Sequence, residues 1–343
     1  MSWIYWLTGQ RIQAAVSARE LAELAQPGSM GAAYAGCIRA NLGLDDGNFE
    51  EARRLFSEAR SAAEAIGAPD LNVYVRLGLS RLQRQCGNFS EAAQWAEDAR
   101  KLAGRVDYPQ LAGQSLIELA RAAWASGDEA GAAAYLVQAC AALEPIQANF
   151  DLCRARLYLA ALPGPNSPAD AWTEALSGIL EHDYIFLAYQ ERRLVYPLLA
   201  ASLESNDFRL SQASAALVEQ MQRVPPEPLR IVTLGGLAVW QAGRAIPRAE
   251  LARRRAGELL ALLIVSPGRC LSYDQVGEAL GPEQDFEWAK MTFQHATSSL
   301  RHALEPELPD RRFPSHYLEV NEGQVRLALP PGSRLDLDAF QEA

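Results

Sequence analysis

Apolar positions in the first two thirds of the chain recur with a helical period, inside a unit that itself repeats. Segments 71–82 and 92–102 both show this period, and a glycine separates them. Equivalent glycines lie 40 residues apart at Gly47, Gly87 and Gly127. Because glycine adopts a positive φ without strain, this pattern predicts pairs of helices joined by tight turns and stacked one on the next.

Weaker copies of the unit flank the three central ones. Residues 3–25 match part of a hairpin, and 150–183 match another, with a proline-rich loop at 163–168. A last hairpin is predicted over 184–223, with its turn near 206–208. We therefore expect roughly five helical hairpins, stacked in a right-handed superhelix so that each buries its apolar face against its neighbour.

The pattern changes after a short proline-rich segment, 225–228, which contains three prolines. Prolines in this density stop a helix and stiffen the chain, so we predict a linker there between a repeat domain, 1–224, and a second domain, 229–343. Apolar residues then alternate with period two over 230–234 and 237–240, which predicts short strands.

Three helices and a hairpin are predicted in the second domain. The apolar segment 253–265 predicts a buried helix. Segment 272–280 predicts a short one with Ser or Asp as the N-cap, and 286–304 predicts a third. The third helix has an apolar stripe at Phe293, Ala296 or Thr297, Leu300 and Leu304. Two strands follow within 317–329, with a turn at Asn321-Glu-Gly.

Both parts of the chain resemble known families. The 40-residue unit resembles the tetratricopeptide repeat in the longer form found in MalT-like regulators. The second domain resembles the OmpR/PhoB-type winged helix, in the version of the actinobacterial antibiotic-regulatory activators. The motifs are Leu-Gly-Gly at 234–236, Arg-Arg-x-x-x-Glu-Leu-Leu-Ala-Leu-Leu at 253–263, Pro-Gly-Arg at 267–269 and Ser-x-Leu-Arg-x-Ala-Leu at 298–304. The implied fold class is mainly α, a tetratricopeptide-like α-solenoid followed by a small α+β winged-helix domain.

The resemblance implies binding to duplex DNA, with the third helix in the major groove and the hairpin along the backbone or minor groove. Cationic, amide and hydroxyl side chains suit phosphates and base edges. The predicted DNA-binding residues are Arg253, Arg254, Arg255, Lys290, Gln294, His295, Ser298, Ser299, Arg301, Asn321 and Arg326.

Several of these residues also have ordinary structural explanations. The three arginines at 253–255 either clamp phosphates or serve as a solvated helix start with internal salt bridges. His295 either reads a base or is an exposed helix residue. Ser299 stands where the family has an arginine, and Glu322 lies at a hairpin tip that is often basic, so Arg311-Arg312 is a candidate substitute.

The net charge of −10 over 343 residues argues against a protein that coats nucleic acid with its whole surface. The charge is unevenly distributed. Residues 229–343 contain 13 Lys and Arg against 15 Asp and Glu, whereas the preceding part contains 19 against 27. Residues 288–304 contain no acid at all. The local charge therefore permits a groove-binding helix.

Other features exclude several classes of protein. No apolar run reaches the ~20 residues that span a bilayer, and the N-terminus lacks a signal-peptide pattern. The five cysteines are scattered, which is typical of a reducing compartment and not of a disulfide framework or a zinc site. No catalytic or phosphate-binding motif is present. We expect a cytoplasmic protein without membrane contact, enzyme activity, metal or cofactor.

The main hypothesis is a transcriptional regulator whose repeats act as a sensory scaffold for a protein or peptide partner, and which binds double-stranded DNA as a homodimer. The rival hypothesis is an interaction scaffold whose winged helix has lost DNA binding and docks protein. The net charge of the second domain, Ser299 and Glu322 favour the rival. Trp95, Trp124 and Tyr135 are interpreted as core residues, with ligand recognition by the repeats as the alternative.

Overall fold

A computed structural model describes residues 1–26, 28–164, 170–241, 244–281, 286–308 and 313–342. The chain divides into two compact units, Met1–Leu217 and Val218–Ala343. The division falls inside a helix, Phe208–Gln222, and so lies a few residues before the proline-rich segment where the sequence places the linker.

Unit 1 consists of helices. In chain order they are α1 (Ser2–Leu7), α2 (Arg11–Leu24), α3 (Met30–Asp45), α4 (Phe49–Ile66), α5 (Pro69–Gln85), α6 (Phe89–Arg105), α7 (Pro109–Ala125), α8 (Glu129–Leu143), α9 (Asn149–Ala161), α10 (Ala171–Glu181), α11 (Ile185–Gln190), α12 (Arg192–Leu203) and α13 (Phe208–Gln222). Within the described residues these helices pair as six hairpins, whereas the sequence predicts about five. The additional hairpin arises because the short α1 pairs with α2.

The turns are those that the repeat predicts. Gly47, Gly87 and Gly127 have φ values of 75°, 81° and 89°, each between the two helices of a hairpin. A side chain would be strained in this backbone conformation, which explains the glycine at each repeat. Pro69 and Pro109 occupy the first turns of α5 and α7, where the missing N–H costs no hydrogen bond.

The first helices of successive hairpins pack against each other, α3 on α5, α5 on α7 and α7 on α9. Within each hairpin, small residues allow the pair to approach closely. Ala52 and Ala92 are completely buried. Between successive hairpins, the ring of Phe56 on α4 lies over Gly78 on α5 at a distance that leaves no room for a Cβ. The repeat core is therefore built from alanine, leucine and a few aromatic side chains.

Unit 2 combines two small sheets with helices. Its strands are β1 (Leu229–Val232), β2 (Ala238–Gln241), β3 (Arg244–Ala245), β4 (Cys270–Ser272), β5 (Leu318–Asn321), β6 (Gln324–Leu327) and β7 (Arg334–Leu335). Its further helices are α14 (Arg248–Ala252), α15 (Ala256–Val265), α16 (Tyr273–Leu280), α17 (Phe286–Leu304) and α18 (Asp336–Glu342).

One sheet has the strand order β3-β2-β1-β7, and the other has the order β4-β6-β5. Strands β1 and β2 are antiparallel, β7 joins β1 in parallel, and β5 and β6 form the predicted hairpin. Leu259, Leu263, Phe293 and Leu300 lie in the core between the sheets and helices. The predicted fold class is confirmed, a mainly α chain with a helical-repeat array followed by a small α+β unit.

Candidate nucleic-acid interface

Helix α17 has one face in the core of unit 2 and one face in solvent. Its buried side chains follow the predicted apolar stripe, because residues three and four apart lie on the same side of a helix. They are Ala289, Thr292, Phe293, Ala296, Thr297, Ser299, Leu300, Ala303 and Leu304. The helix is therefore held rigidly by the rest of the unit, and its outer face is presented in a fixed orientation.

The outer face is a stripe of polar side chains. Exposed residues recur every four positions and so lie in a line along the helix: Lys290, Gln294, Ser298 and His302. His295 is exposed beside them. The stripe offers an ammonium group, an amide, a hydroxyl and two imidazoles, which can donate to phosphates or pair with base edges.

The three consecutive arginines form a tight turn between α14 and α15 that packs against α17. Arg254 and Arg255 have φ values of 45° and 63°, so the turn is left-handed. Arg255 donates a hydrogen bond to the carbonyl of Leu280, and its guanidinium lies 5.7 Å from the centre of the Trp288 ring. Arg253 and Arg254 are exposed. Arg255 thus positions the helices, whereas Arg253 and Arg254 add positive charge beside α17.

The β5–β6 hairpin lies close to the start of α17. Gly323 has a φ of 81° in the hairpin turn, and its carbonyl accepts a 2.9 Å hydrogen bond from the backbone N–H of Tyr273. The Tyr273 ring meets the Phe286 ring edge-on, at 5.3 Å between centres. Asn321 and Arg326 are exposed on this hairpin, and Arg326 pairs in register with Glu319.

Two predicted residues are placed differently. Ser299 is buried, with 9% of its surface exposed, because its position on the helix lies next to Ala296 and Ala303 on the core side. Arg301 is half-buried, and its guanidinium donates to the carbonyl of Phe313. The family pattern suggested Ser299 and Arg301 as DNA contacts. It does not indicate that Phe313, after the end of α17, contacts Arg301. Arg311 and Arg312, the candidate substitutes, lie outside the described residues.

A residue outside the predicted set stabilises the first sheet. The carboxylate of Asp336 accepts hydrogen bonds of 2.8 to 2.9 Å from the backbone N–H and the hydroxyl of Thr233, and one of 2.8 Å from the N–H of Leu234. Desolvation would raise the pKa of Asp336, but these hydrogen bonds lower it below its ordinary value. The motif Asp-Leu-Asp-x-Phe at 336–340 is the sequence signal that marks this position.

Within the part of the chain that the structure describes, no group of three or more His, Cys, Asp and Glu side chains is placed to hold a metal ion. No helix there combines the length and the apolar character that crossing a membrane requires.

Comparisons with known proteins find no matching family, and the similar solved structures are distant. No protein-family model matches the chain, and no curated protein matches it. Among solved structures, BtubC (BKLC) from P. vanneervenii is similar, with 18% identity over 64% of this chain and 93% of that chain and a TM-score of 0.45. The apo form of RapI is similar over 65% of this chain and 80% of its own, with 12% identity and a TM-score of 0.49. Both TM-scores lie below 0.5, and nothing about partners or activity follows from them.

Proposed function

We propose that this chain is a transcriptional regulator, a binding protein and not an enzyme. Unit 2 acts as a winged helix that binds duplex DNA, with α17 in the major groove and the β5–β6 hairpin on the backbone. The repeat array of unit 1 receives a protein or peptide partner. Since one such unit makes few contacts, the protein acts as a dimer on repeated half-sites.

The observation that carries this proposal is the outer face of α17. Lys290, Gln294, His295 and Ser298 are exposed in a line on a helix that has no acid between residues 288 and 304. Arg253 and Arg254 lie in a turn that packs against the same helix, and Arg326 lies on the hairpin. Direct readout of a major groove requires polar side chains that reach the base edges. It also requires nearby cations that hold the DNA phosphates in position.

A second candidate function is an interaction scaffold in which unit 2 docks protein. Arg255 and Arg301 are held by backbone carbonyls, Ser299 is buried, and Glu322 lies at the hairpin turn, so few cations remain free for phosphates. A stacked array of helical hairpins also suits a protein-interaction scaffold. This candidate needs no DNA at all.

Selection from a random duplex pool separates the two functions. The intact chain is incubated with the pool at two salt concentrations, and bound DNA is amplified and sequenced. A DNA-reading regulator enriches a motif, and its binding weakens steeply as salt rises. Failure to enrich any sequence, together with no binding at low salt, would favour the scaffold.

A further inference from the structure

Four arginines gather on the first helices of three successive hairpins. Arg81 and Arg84 belong to α5, Arg121 to α7 and Arg154 to α9. Arg81 and Arg121 occupy the same repeat position, 40 residues apart. Because α5 contacts α7 and α7 contacts α9, the repeat brings these side chains into one row, which we call the arginine row.

The arginine row surrounds the carboxylate of Glu118, which has 5% of its side chain exposed. One Glu118 oxygen lies 3.3 Å from Arg121 and 3.8 Å from Arg154, and the other lies 3.9 Å from Arg84. Only the contact with Arg121 is also a hydrogen bond. One of the Glu118 oxygens is buried without any hydrogen-bond partner among the described residues.

Two guanidiniums of the row have hydrogen-bond donors without an acceptor among the described residues. Within the described residues, Arg81 makes no hydrogen bond or ion pair, and its guanidinium lies 4.7 Å from the centre of the Trp6 ring. The Nε atoms of Arg81 and Arg84 are buried and have no hydrogen-bond partner there. Native proteins satisfy most buried polar groups, so unpaired donors of this kind mark a site that a ligand can complete.

The carboxylates around the row do not neutralise it. Among the acids that the structure describes, only Asp151 besides Glu118 lies within 4 Å of one of these arginines. It is 3.3 Å from Arg154 and also accepts hydrogen bonds from Gln110 and Gln114. Two acids farther away are already engaged. Asp45 accepts a hydrogen bond from Trp6, and Glu191 accepts one from Tyr158.

The crowded positive charges shift the pKa values of Arg84 and Glu118. Burial, together with the charge of Arg121, lowers the pKa of Arg84 to about 10. Burial alone would raise the pKa of Glu118, but the attraction of the four arginines outweighs it and holds that pKa at about 2. An additional anion beside the row would relieve the repulsion between the guanidiniums.

We propose that the arginine row binds an acidic peptide through its carboxylate side chains. This inference rests on the proposal that the repeat array receives a partner, and it names the chemistry of that partner. Between 17% and 22% of the side chains of Arg84, Arg121 and Arg154 is exposed, so the row borders solvent. Guanidinium forks hold carboxylates with two parallel hydrogen bonds.

The repeat also sets the spacing of the ligand. Packed helices lie about 10 Å apart, and an extended chain advances about 3.3 Å per residue. Carboxylates on every third residue of an extended peptide would therefore meet α5, α7 and α9 in turn. Tyr34, Tyr74 and Gln114 occupy the repeat position of Arg154 in the preceding hairpins, so the arginine at this position is specific to α9.

Fluorescence anisotropy with the intact chain, without DNA, tests this inference. The probe is a labelled nine-residue peptide of serine and glycine, with glutamate at its second, fifth and eighth positions. Two comparison peptides have glutamine at those positions, or the three glutamates side by side. The variants are the double substitution Arg81→Gln with Arg84→Gln, the exposed control Arg105→Gln on α6, and Lys290→Ala in unit 2.

We expect the spaced glutamate peptide to bind at least about tenfold more tightly than either comparison peptide, and the double variant to lose this preference. Arg105→Gln and Lys290→Ala should bind as wild type does. Equal binding of the three peptides would overturn the inference, as would no binding, displacement by millimolar inorganic phosphate, or loss in Lys290→Ala.

A second measurement, hydrogen exchange, uses only the wild-type chain, so it does not depend on whether the double variant folds. Hydrogen exchange of the intact chain with saturating glutamate peptide should slow in α5, α7 and α9 and remain unchanged in α4, α6 and α8. Protection elsewhere would contradict the inference. DNA affinity is measured on the same samples, so a chain that binds DNA but not the peptide disproves this inference alone.

Discussion

The five arginines predicted to bind DNA fall into two groups, those whose guanidiniums are engaged within the unit and those that are exposed. Arg255 and Arg301 donate to backbone carbonyls of the unit itself, at Leu280 and Phe313. Arg253, Arg254 and Arg326 are exposed. A side chain that already satisfies a carbonyl would have to leave it in order to reach a phosphate, so we assign the first group to stability and the second to DNA binding.

Replacement of Arg301 tests this assignment. Arg301→Ala removes a charged donor from the carbonyl of Phe313, which should lower the free energy of unfolding by about 1–3 kcal/mol. DNA affinity of the folded protein should change less than about twofold. Chemical denaturation and fluorescence polarisation measure the two effects.

Arg326→Ala is the matched control, since this arginine is exposed on β6. Its stability should stay within about 0.5 kcal/mol of wild type, while its DNA affinity falls. A tenfold loss of DNA affinity in Arg301→Ala with unchanged stability would show that Arg301 contacts DNA after all.

Glu118 makes unfolding depend on pH. Its folded pKa of about 2 lies below the ordinary value of 4.5, so its contribution to stability is complete above pH 4.5 and disappears as the pH falls towards 2. Glu118→Gln leaves buried arginines unpaired and should cost about 3–5 kcal/mol at pH 7. Its unfolding free energy should then fall less steeply than that of wild type between pH 4.5 and 2.

Urea denaturation at a series of pH values measures this difference. Glu20→Gln serves as the control, because Glu20 is exposed on α2 and should leave the profile of wild type intact. Parallel profiles for wild type and Glu118→Gln would mean that the arginine row does not set the ionisation of Glu118.

At the scale of single elements, the exposed stripe of α17 should determine base preference. Gln294 lies in the middle of the stripe, and an amide pairs with adenine through two hydrogen bonds. Gln294→Ala should weaken binding to the selected duplex by about 1–3 kcal/mol and leave binding to a scrambled duplex unchanged. Gln94→Ala, on the exposed face of α6, should have no effect on either duplex.

Repeat packing depends on glycine where two helices meet. A Cβ at Gly78 would lie 2.2 Å from the Phe56 ring, whereas a Cβ at Gly104 meets nothing within 4 Å. Gly78→Ala should therefore destabilise the protein by about 1–3 kcal/mol. Gly104→Ala should stabilise it by up to ~1 kcal/mol, because alanine favours a helix. Thermal unfolding compares the two, and equal midpoints would contradict the close packing of α4 on α5.

For the whole molecule, the sequence predicts features that local chemistry determines. The turns at Gly47, Gly87 and Gly127 need a positive φ, and the apolar stripe of α17 follows from helical spacing. The family pattern predicts Ser299 as a DNA contact, although its neighbours on the helix place it on the buried face. The contact of Arg301 with Phe313 joins residues on either side of a segment without periodicity, so no local pattern indicates it.

The arginine row escaped prediction for a similar reason. The repeat register aligns Arg81 with Arg121, which the sequence alone can show. Arg154 occupies a different repeat position and reaches Glu118 only through the packing of α9 on α7. A site assembled from different positions of successive repeats becomes visible only when the repeats are stacked.

Salt dependence of DNA binding tests the central claim most directly. The chain has two lysines, Lys290 on α17 and Lys101 on α6, which makes them a matched pair. Polarisation titrations with the selected duplex across a range of salt give the slope of log affinity against log salt. If α17 lies against DNA, Lys290→Ala should reduce that slope by about one, and Lys101→Ala should not change it. Identical slopes for all three proteins, or no binding at low salt, would contradict the account.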